Sequence, residues 1–267
     1  RCVTPAAAGR GAVSVHLSHG GAVLATSVSF SYYEPASVRS VEPWIGVQGG
    51  GTLVRIRGAG FDPSASVAVR WGSGALVSAR VSSWTLLEAT VPAALQPGLV
   101  PVEVTLNEQD FSGDEVLFDY QSALRLDEAS PSKGPSTGGS LVLLTGGAFS
   151  RRSSLLGYTH ARFNLTKVPA VWVSESEVRC VAPEHAAGVV SVGVTQNDQQ
   201  YEGALHFEYQ DASAHSIEPR SGPLLGGTTV VVRGAELHAS GGASGAFCQF
   251  SGSDVVSASF DGEGALR

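Results

Sequence analysis

The stretch Gln48-Gly49-Gly50-Gly51-Thr52-Leu53-Val54-Arg55-Ile56-Arg57-Gly58 decides the fold, because it occurs three times. Its second copy is Gly134-Pro135-Ser136-Thr137-Gly138-Gly139-Ser140-Leu141-Val142-Leu143-Leu144-Thr145-Gly146. Its third is Gly222-Pro223-Leu224-Leu225-Gly226-Gly227-Thr228-Thr229-Val230-Val231-Val232-Arg233-Gly234. A Gly-rich turn followed by an apolar, β-branched run predicts a tight turn feeding a strand. A proline opens each copy, in Val41-Glu42-Pro43, Ala129-Ser130-Pro131 and Ile217-Glu218-Pro219. Those prolines are 88 residues apart, as are Gly50, Gly138 and Gly226. Self-similarity at a fixed period of this kind organises everything else in the chain.

The repeat extends outward from this stretch. Gly98-Leu99-Val100-Pro101-Val102-Glu103-Val104 matches Gly188-Val189-Val190-Ser191-Val192-Gly193-Val194 and, near the start, Gly11-Ala12-Val13-Ser14-Val15. Val100, Val102 and Val104 alternate, which places them on one face of a strand. Each copy closes on a pair of aromatics two residues apart: Phe30 and Tyr32, Phe118 and Tyr120, Phe207 and Tyr209. Turn signals between short apolar runs predict antiparallel β-sandwiches, one per repeat. The fold class is therefore all-β, a tandem and elongated array of immunoglobulin-like sandwiches. The phase is informative. Residues 1–36 read as the C-terminal half of a repeat, 37–121 and 122–210 as two complete repeats, and 211–267 as an N-terminal half. Arg1-Cys2, Arg179-Cys180 and Arg267 occupy one repeat position. The chain opens inside an expected strand, so it reads as a segment of a longer protein.

Composition narrows the function classes. Of the 267 residues, 43% are hydrophobic and only 15% charged, below the roughly 25% usual for a globular domain. That balance, with 33 glycines and no methionine, suits strands and turns better than amphipathic helices. The net charge of -7 and the lack of any basic cluster beyond Arg151-Arg152 argue against nucleic acid, which requires clustered cations. No apolar run approaches the 18 or so residues of a membrane-spanning helix, so direct membrane insertion of this segment is not expected.

With the repeat laid out, the chain resembles the IPT/TIG domain, an immunoglobulin-like fold of plexins, growth-factor-receptor-like and fibrocystin-like proteins and Rel-type transcription factors. The resemblance is carried by Pro219-Arg220-Ser221-Gly222-Pro223 and Gly226-Gly227-Thr228-Thr229-Val230, by Cys248-Gln249-Phe250 and Cys180-Val181-Ala182-Pro183, and by the Phe-x-Tyr endings. It implies a non-catalytic extracellular or cell-surface module. In extracellular members a Cys before a Phe often bridges a later Cys before a Pro. Here Cys248 holds the first position, and Cys2 and Cys180 hold the second, so no repeat contains both. In 37–121, Arg70-Trp71-Gly72 and Ala89-Thr90-Val91-Pro92 stand in these places; in 122–210, Arg162-Phe163 replaces the first Cys. Cys2 and Cys248 are expected to find disulfide partners outside the chain or in a neighbouring copy, with Cys180 left as a buried free thiol.

Other candidate sites are few. Asn164-Leu165-Thr166 is the one N-glycosylation triplet and would mark a surface strand or turn of a glycoprotein. Trp44 lies where the other copies have Ser132 and Arg220, and is a candidate contact residue. Trp71 and Trp84 are expected in the core. The seven histidines lack metal-ligand spacing, and Asp110, Asp114 and Glu115 around Gly113 lack the regular ligand positions of a calcium loop. Gly49-Gly50-Gly51 has no following Lys-Ser/Thr for a phosphate, and no Gly-x-Ser-x-Gly elbow presents a nucleophile. No metal, cofactor or enzymatic activity is expected. Two functions fit. One is a semi-rigid spacer and protein-interaction array, binding other chains or repeats of the same parent and able to assemble into a filament. The alternative is the stalk of a plexin-like signalling-receptor ectodomain.

Overall fold

The computed structural model describes residues 2–74, 76–211, 213–235, 246–250, 255–259 and 265–266. Arg1, Arg267 and the linker residue Ala212, which entered the repeat phasing, lie outside the described residues. The chain divides into two compact units, Arg1–Tyr120 and Gln121–Arg267.

The first unit begins with a hairpin of β1 (Gly11–His19) and β2 (Ala22–Tyr32). Then follow β3 (Ser37–Glu42), β4 (Ile45–Val47), β5 (Leu53–Ala59), β6 (Ala68–Trp71), β7 (Leu76–Ser78), β8 (Arg80–Ser83), β9 (Leu86–Thr90), β10 (Gly98–Thr105) and β11 (Leu117–Gln121). They form two sheets, β3-β5-β9-β8 and β4-β11-β10-β6-β7. The inward row of each strand supplies the core between them: Val54 and Ile56, Leu87 and Ala89, Val69 and Trp71, Val102 and Val104, Phe118 and Tyr120. The two closing aromatics share a face and meet edge to face, with ring centroids 5.0 Å apart.

The second unit repeats this plan with β12 (Arg125–Ser130), β13 (Lys133–Pro135), β14 (Leu141–Gly147), the helix α1 (Arg151–Leu155), β15 (His160–Phe163), β16 (Thr166–Ser174), β17 (Glu177–Val181), β18 (Gly188–Thr195) and β19 (Glu202–Gln210). Strand β16 is the exception to the plan. Its first part pairs with β15 and its second with β17, so one strand serves both sheets. In the first unit the same path is broken into β7 and β8. Helix α1 is a single turn that composition did not foretell; the Ser150 hydroxyl caps it by accepting the Ser153 N–H. Strand β13 runs parallel to β19, with Lys133 opposite Glu208. The core again comes from the same positions: Val142, Leu144, Phe149, Ala161, Phe163, Val178, Cys180, Val192, Phe207 and Tyr209.

The third copy contains β20 (Ser213–Glu218), β21 (Val231–Ala235), β22 (Ala246–Gln249), β23 (Val255–Ala258) and β24 (Ala265–Leu266). β20 pairs with β21, β21 with β24, and β22 with β23. Its kinship to the others reaches single residues. The first strand pair is interrupted by an irregularity at Val38/Ser40, Leu126/Glu128 and Ala214/Ser216, each 88 residues from the next. Gly50, Gly138 and Gly226 all adopt positive φ (76°, 73° and 76°), a conformation that favours glycine.

One expectation fails. Trp71 is buried, but Trp84 is not in the core; it is 51% exposed at the turn between β8 and β9. The turn reverses side-chain alternation, so Trp84 points outward while Leu87, three residues on, faces the core.

Candidate functional site

The repeat creates a recurrent corner, and comparing its copies shows what each position does. Gly46 and Gly134 sit in the short strand after the opening proline. A Cβ on Gly46 would lie 2.6 Å from both Phe118 Cζ and Thr52 Oγ1; one on Gly134 would lie 2.8 Å from Phe207 Cζ and 2.5 Å from Ser140 Oγ. A glycine is required there because the closing Phe ring lies flush on the backbone. Next, the Gly-Gly turn packs on the segment that carries the second cysteine position. Gly51 N–H donates to Val91 O at 2.8 Å and Gly139 N–H to Ala182 O at 2.9 Å. Gly50 and Gly138 approach the backbone at Pro92–Ala93 and Pro183–Glu184 so closely that a Cβ would collide.

The cysteines occupy different settings. Cys180 pairs across the sheet with Val142, as Ala89 does with Val54. It is buried, and desolvation pushes its thiol up to about 12. Thiolate chemistry at neutral pH is thereby suppressed. Alternation along β15 puts Ala161 inward and Arg162 outward, so Ala161 holds the inward place corresponding to Cys248. Cys2 is exposed and Cys248 half-buried.

Asn164 occupies the first position of the two-residue turn between β15 and β16, where Phe163 pairs with Thr166. Its φ of 52° is a conformation Asn tolerates better than most residues. Its N–H donates to Ser191 O at 2.8 Å, and the next residue, Leu165, is 86% exposed. The backbone is thus held while the side chain stands at an open hairpin tip. Trp44 is half-buried, and its carbonyl accepts the Asp119 N–H at 2.8 Å; Ser132 accepts from Glu208 in the same way. The position is therefore structural through its backbone, leaving its side chain to vary between copies.

The acidic group after β10 serves the loop. Asp114 Oδ2 accepts the Val38 N–H at 2.6 Å, and Asp110 accepts from Asn107 Nδ2 at 2.7 Å. Sequence reasoning missed a second pattern, an Arg lying over the ring of an aromatic residue past the following hairpin. Arg70 stacks on Phe111 (3.6 Å to the centroid) and Arg162 on Tyr201 (4.1 Å). The spacing from each Arg to its aromatic differs between repeats, so a periodic search passes over it.

The outward faces differ most. On the β3-β5-β9-β8 sheet, Arg55, Arg57 and Glu88 face out, and Glu88 carries ion pairs to Arg55 and Arg80. On the matching face of the second unit, Leu141 stands directly opposite Val181, with Val171 beside them, all exposed.

Comparison with known proteins places these features. The profile of the IPT/TIG domain matches residues 36–120 and 124–209. Fibrocystin-L of Homo sapiens is 26% identical over 239 residues, covering 84% of this chain and 5% of that protein. Fibrocystin-L of Mus musculus is 33% identical over 144 residues, 52% of this chain and 3% of its own length. Plexin-B3 of Homo sapiens is 29% identical over 124 residues, 45% of this chain and 6% of its own length. The chain thus spans about a twentieth of these relatives. Among solved structures, the full extracellular region of Plexin A4 aligns with a TM-score of 0.49 at 23% identity, covering 76% of this chain and 18% of that one.

Proposed function

The chain belongs to the IPT/TIG domain family, and from that premise we propose that it is a non-catalytic segment of a large extracellular or cell-surface protein. It contains two complete repeats, 37–121 and 122–210, between a C-terminal half (1–36) and an N-terminal half (211–267). It works as a spacer and protein-interaction array, with other chains or other repeats of its parent as partners. The observation that carries this reading is the contrast between conserved interior and divergent exterior. The two cores use the same positions, whereas the outer sheet faces, which share an exposed leucine (Leu53 and Leu141), differ around it: one carries Arg55, Arg80 and Glu88, the other exposed Val171 and Val181. An exposed apolar patch on a sheet face is the kind of surface that other proteins cover. Asn164 carries a glycan in this reading. Cys2 and Cys248 pair outside the chain or with a neighbouring copy, Cys180 stays a free thiol, and Trp44 contributes a contact.

The test is expression of the chain behind a secretory leader. The expected product is secreted and folded, with a single glycan that glycosidase removes and Asn164→Gln prevents. An unshifted mass discards the glycan, and intracellular retention of a misfolded chain overturns the extracellular assignment. Non-reducing peptide mapping that found Cys180 bridged would overturn the cysteine assignment. A second reading, the stalk of a signalling receptor, is supported by the likeness to Plexin-B3. A parent with a membrane span and a cytoplasmic signalling domain would select it.

A further inference from the structure

The two complete repeats carry the same cross-strand row on one outer sheet face. In the first, Arg55 and Arg80 flank Glu88, at 3.6 and 3.7 Å from its carboxylate. In the second, the row reads Leu143, Arg179 and Val171. The central charge has changed sign, and both residues that neutralised it have become aliphatic. Arg179 is exposed and makes no ion pair among the described residues. Glu177, the next residue of β17 on this face, lies outside the groove described below.

The neighbouring row pairs Leu141 with Val181, both exposed. With Val168 and Pro169, where β16 passes from one sheet to the other, these residues line an open groove of about 710 Å3. Arg179 is the one charged residue among the described residues lining it. Leu53 and Leu141 are 53% and 60% exposed, so openness here belongs to the sheet face of a complete repeat. A partner that covers the groove strips water from the guanidinium, which is unfavourable unless that partner brings an anion. The planar guanidinium takes a carboxylate through two parallel hydrogen bonds. The Leu and Val side chains around it offer aliphatic contact and no hydrogen-bonding group, which disfavours a polyhydroxylated ligand.

We propose that this groove docks a segment of a partner protein that presents one Asp or Glu between aliphatic side chains. The carboxylate sits on Arg179, and its aliphatic neighbours lie on Leu141, Val171 and Val181. This rests on the interaction reading above and adds the chemistry of the partner. The first repeat does not compete for the same segment, because Arg55 and Arg80 already neutralise Glu88 and an incoming carboxylate would meet that Glu.

A random-peptide phage library tests this, selected on the full 267-residue chain and depleted on its Val171→Asp variant, which gives Arg179 a carboxylate of its own. Recovered peptides should share an Asp or Glu beside Leu, Ile or Val. Arg179→Ala should weaken their binding about tenfold or more. Arg179→Glu should abolish it, and exchanging the peptide's acid for Arg should restore it. These variants change exposed side chains, so the second unit should melt within about 2 °C of the parent chain. Recovery of no peptide that distinguishes the parent from Val171→Asp overturns the proposal. So do peptides that lack a carboxylate or are indifferent to Arg179→Ala. Retention on immobilised heparin that Arg179→Ala abolishes would make the ligand a sulfated polysaccharide instead. Self-association that Val171→Asp abolishes would make it a second copy; either result overturns the assignment. Secretion and glycosylation do not depend on this face, so its failure would leave the extracellular reading standing.

Discussion

Cys180 takes the core place that Ala89 holds in the first repeat, and this substitution has a titration consequence. The thiol is raised in the folded state from an ordinary value of 9.0 to about 12. Its contribution to stability is therefore fully present below about pH 9 and is lost as pH rises through about 12. The slope from this one group is at most about 1.4 kcal/mol per pH unit. Cys180→Ala should flatten the alkaline limb of the second unit's unfolding free energy at a cost of about 1 kcal/mol at pH 7, read by urea denaturation. Gly134→Ala should be more severe, because its Cβ would strike Phe207 and Ser140; about 1–3 kcal/mol is expected. Gly139 has open space around its Cβ position and a φ of 86°, so Gly139→Ala pays for backbone strain alone, about 1 kcal/mol. The glycines' importance was readable from their period. Their separate reasons were not, since ring contact, backbone contact and positive φ all appear in sequence as the same letter.

Between elements, the closing strand is tied to the preceding segment through its tyrosine, and the tie differs between repeats. Tyr120 Oη donates to Pro92 O. The Tyr209 hydroxyl is buried and without a hydrogen-bond partner among the described residues, its ring stacked on His185 at 5.1 Å. Tyr120→Phe should therefore cost about 0.5–1.5 kcal/mol, while Tyr209→Phe should be neutral or slightly stabilising. Calorimetry of the two variants checks the asymmetry. The Phe-x-Tyr motif announced both strands, but the hydroxyl's partner depends on a local backbone path that no motif records. The shared irregularity in the first strand pair was hidden for another reason: the skipped residues, Arg39, Asp127 and His215, are all exposed and ionisable but differ in charge and shape, and such residues are common elsewhere in the chain. Trp84 was misplaced because an apolar residue in a turn looks, in sequence, like one in the adjoining strand.

At the scale of the whole molecule, repetition made the fold legible, while function resides in what fails to repeat. Val54, Ile56 and Phe118 have counterparts in Val142, Leu144 and Phe207, and a period finds them at once. Leu141 repeats the exposed Leu53, but Val171 and Val181 stand where the first repeat has Arg80 and Thr90, so the period is silent there. The two complete repeats have separate cores with no residue in common. Scanning calorimetry should accordingly show Gly46→Ala lowering one transition and Gly134→Ala another, each by several degrees.

The parallel pairing of β13 with β19 bears on how such a repeat responds to pulling. Near its start, Ser132 O accepts the Glu208 N–H; near its end, the Ser136 N–H donates to Gln210 O. Tension applied at the two ends of the repeat draws β13 and β19 in opposite directions along their common axis. The load then falls on all the bonds of this patch together, in shear, and none can be unzipped ahead of the others. A repeat built this way resists stretching along the β13–β19 axis far more than peeling across it.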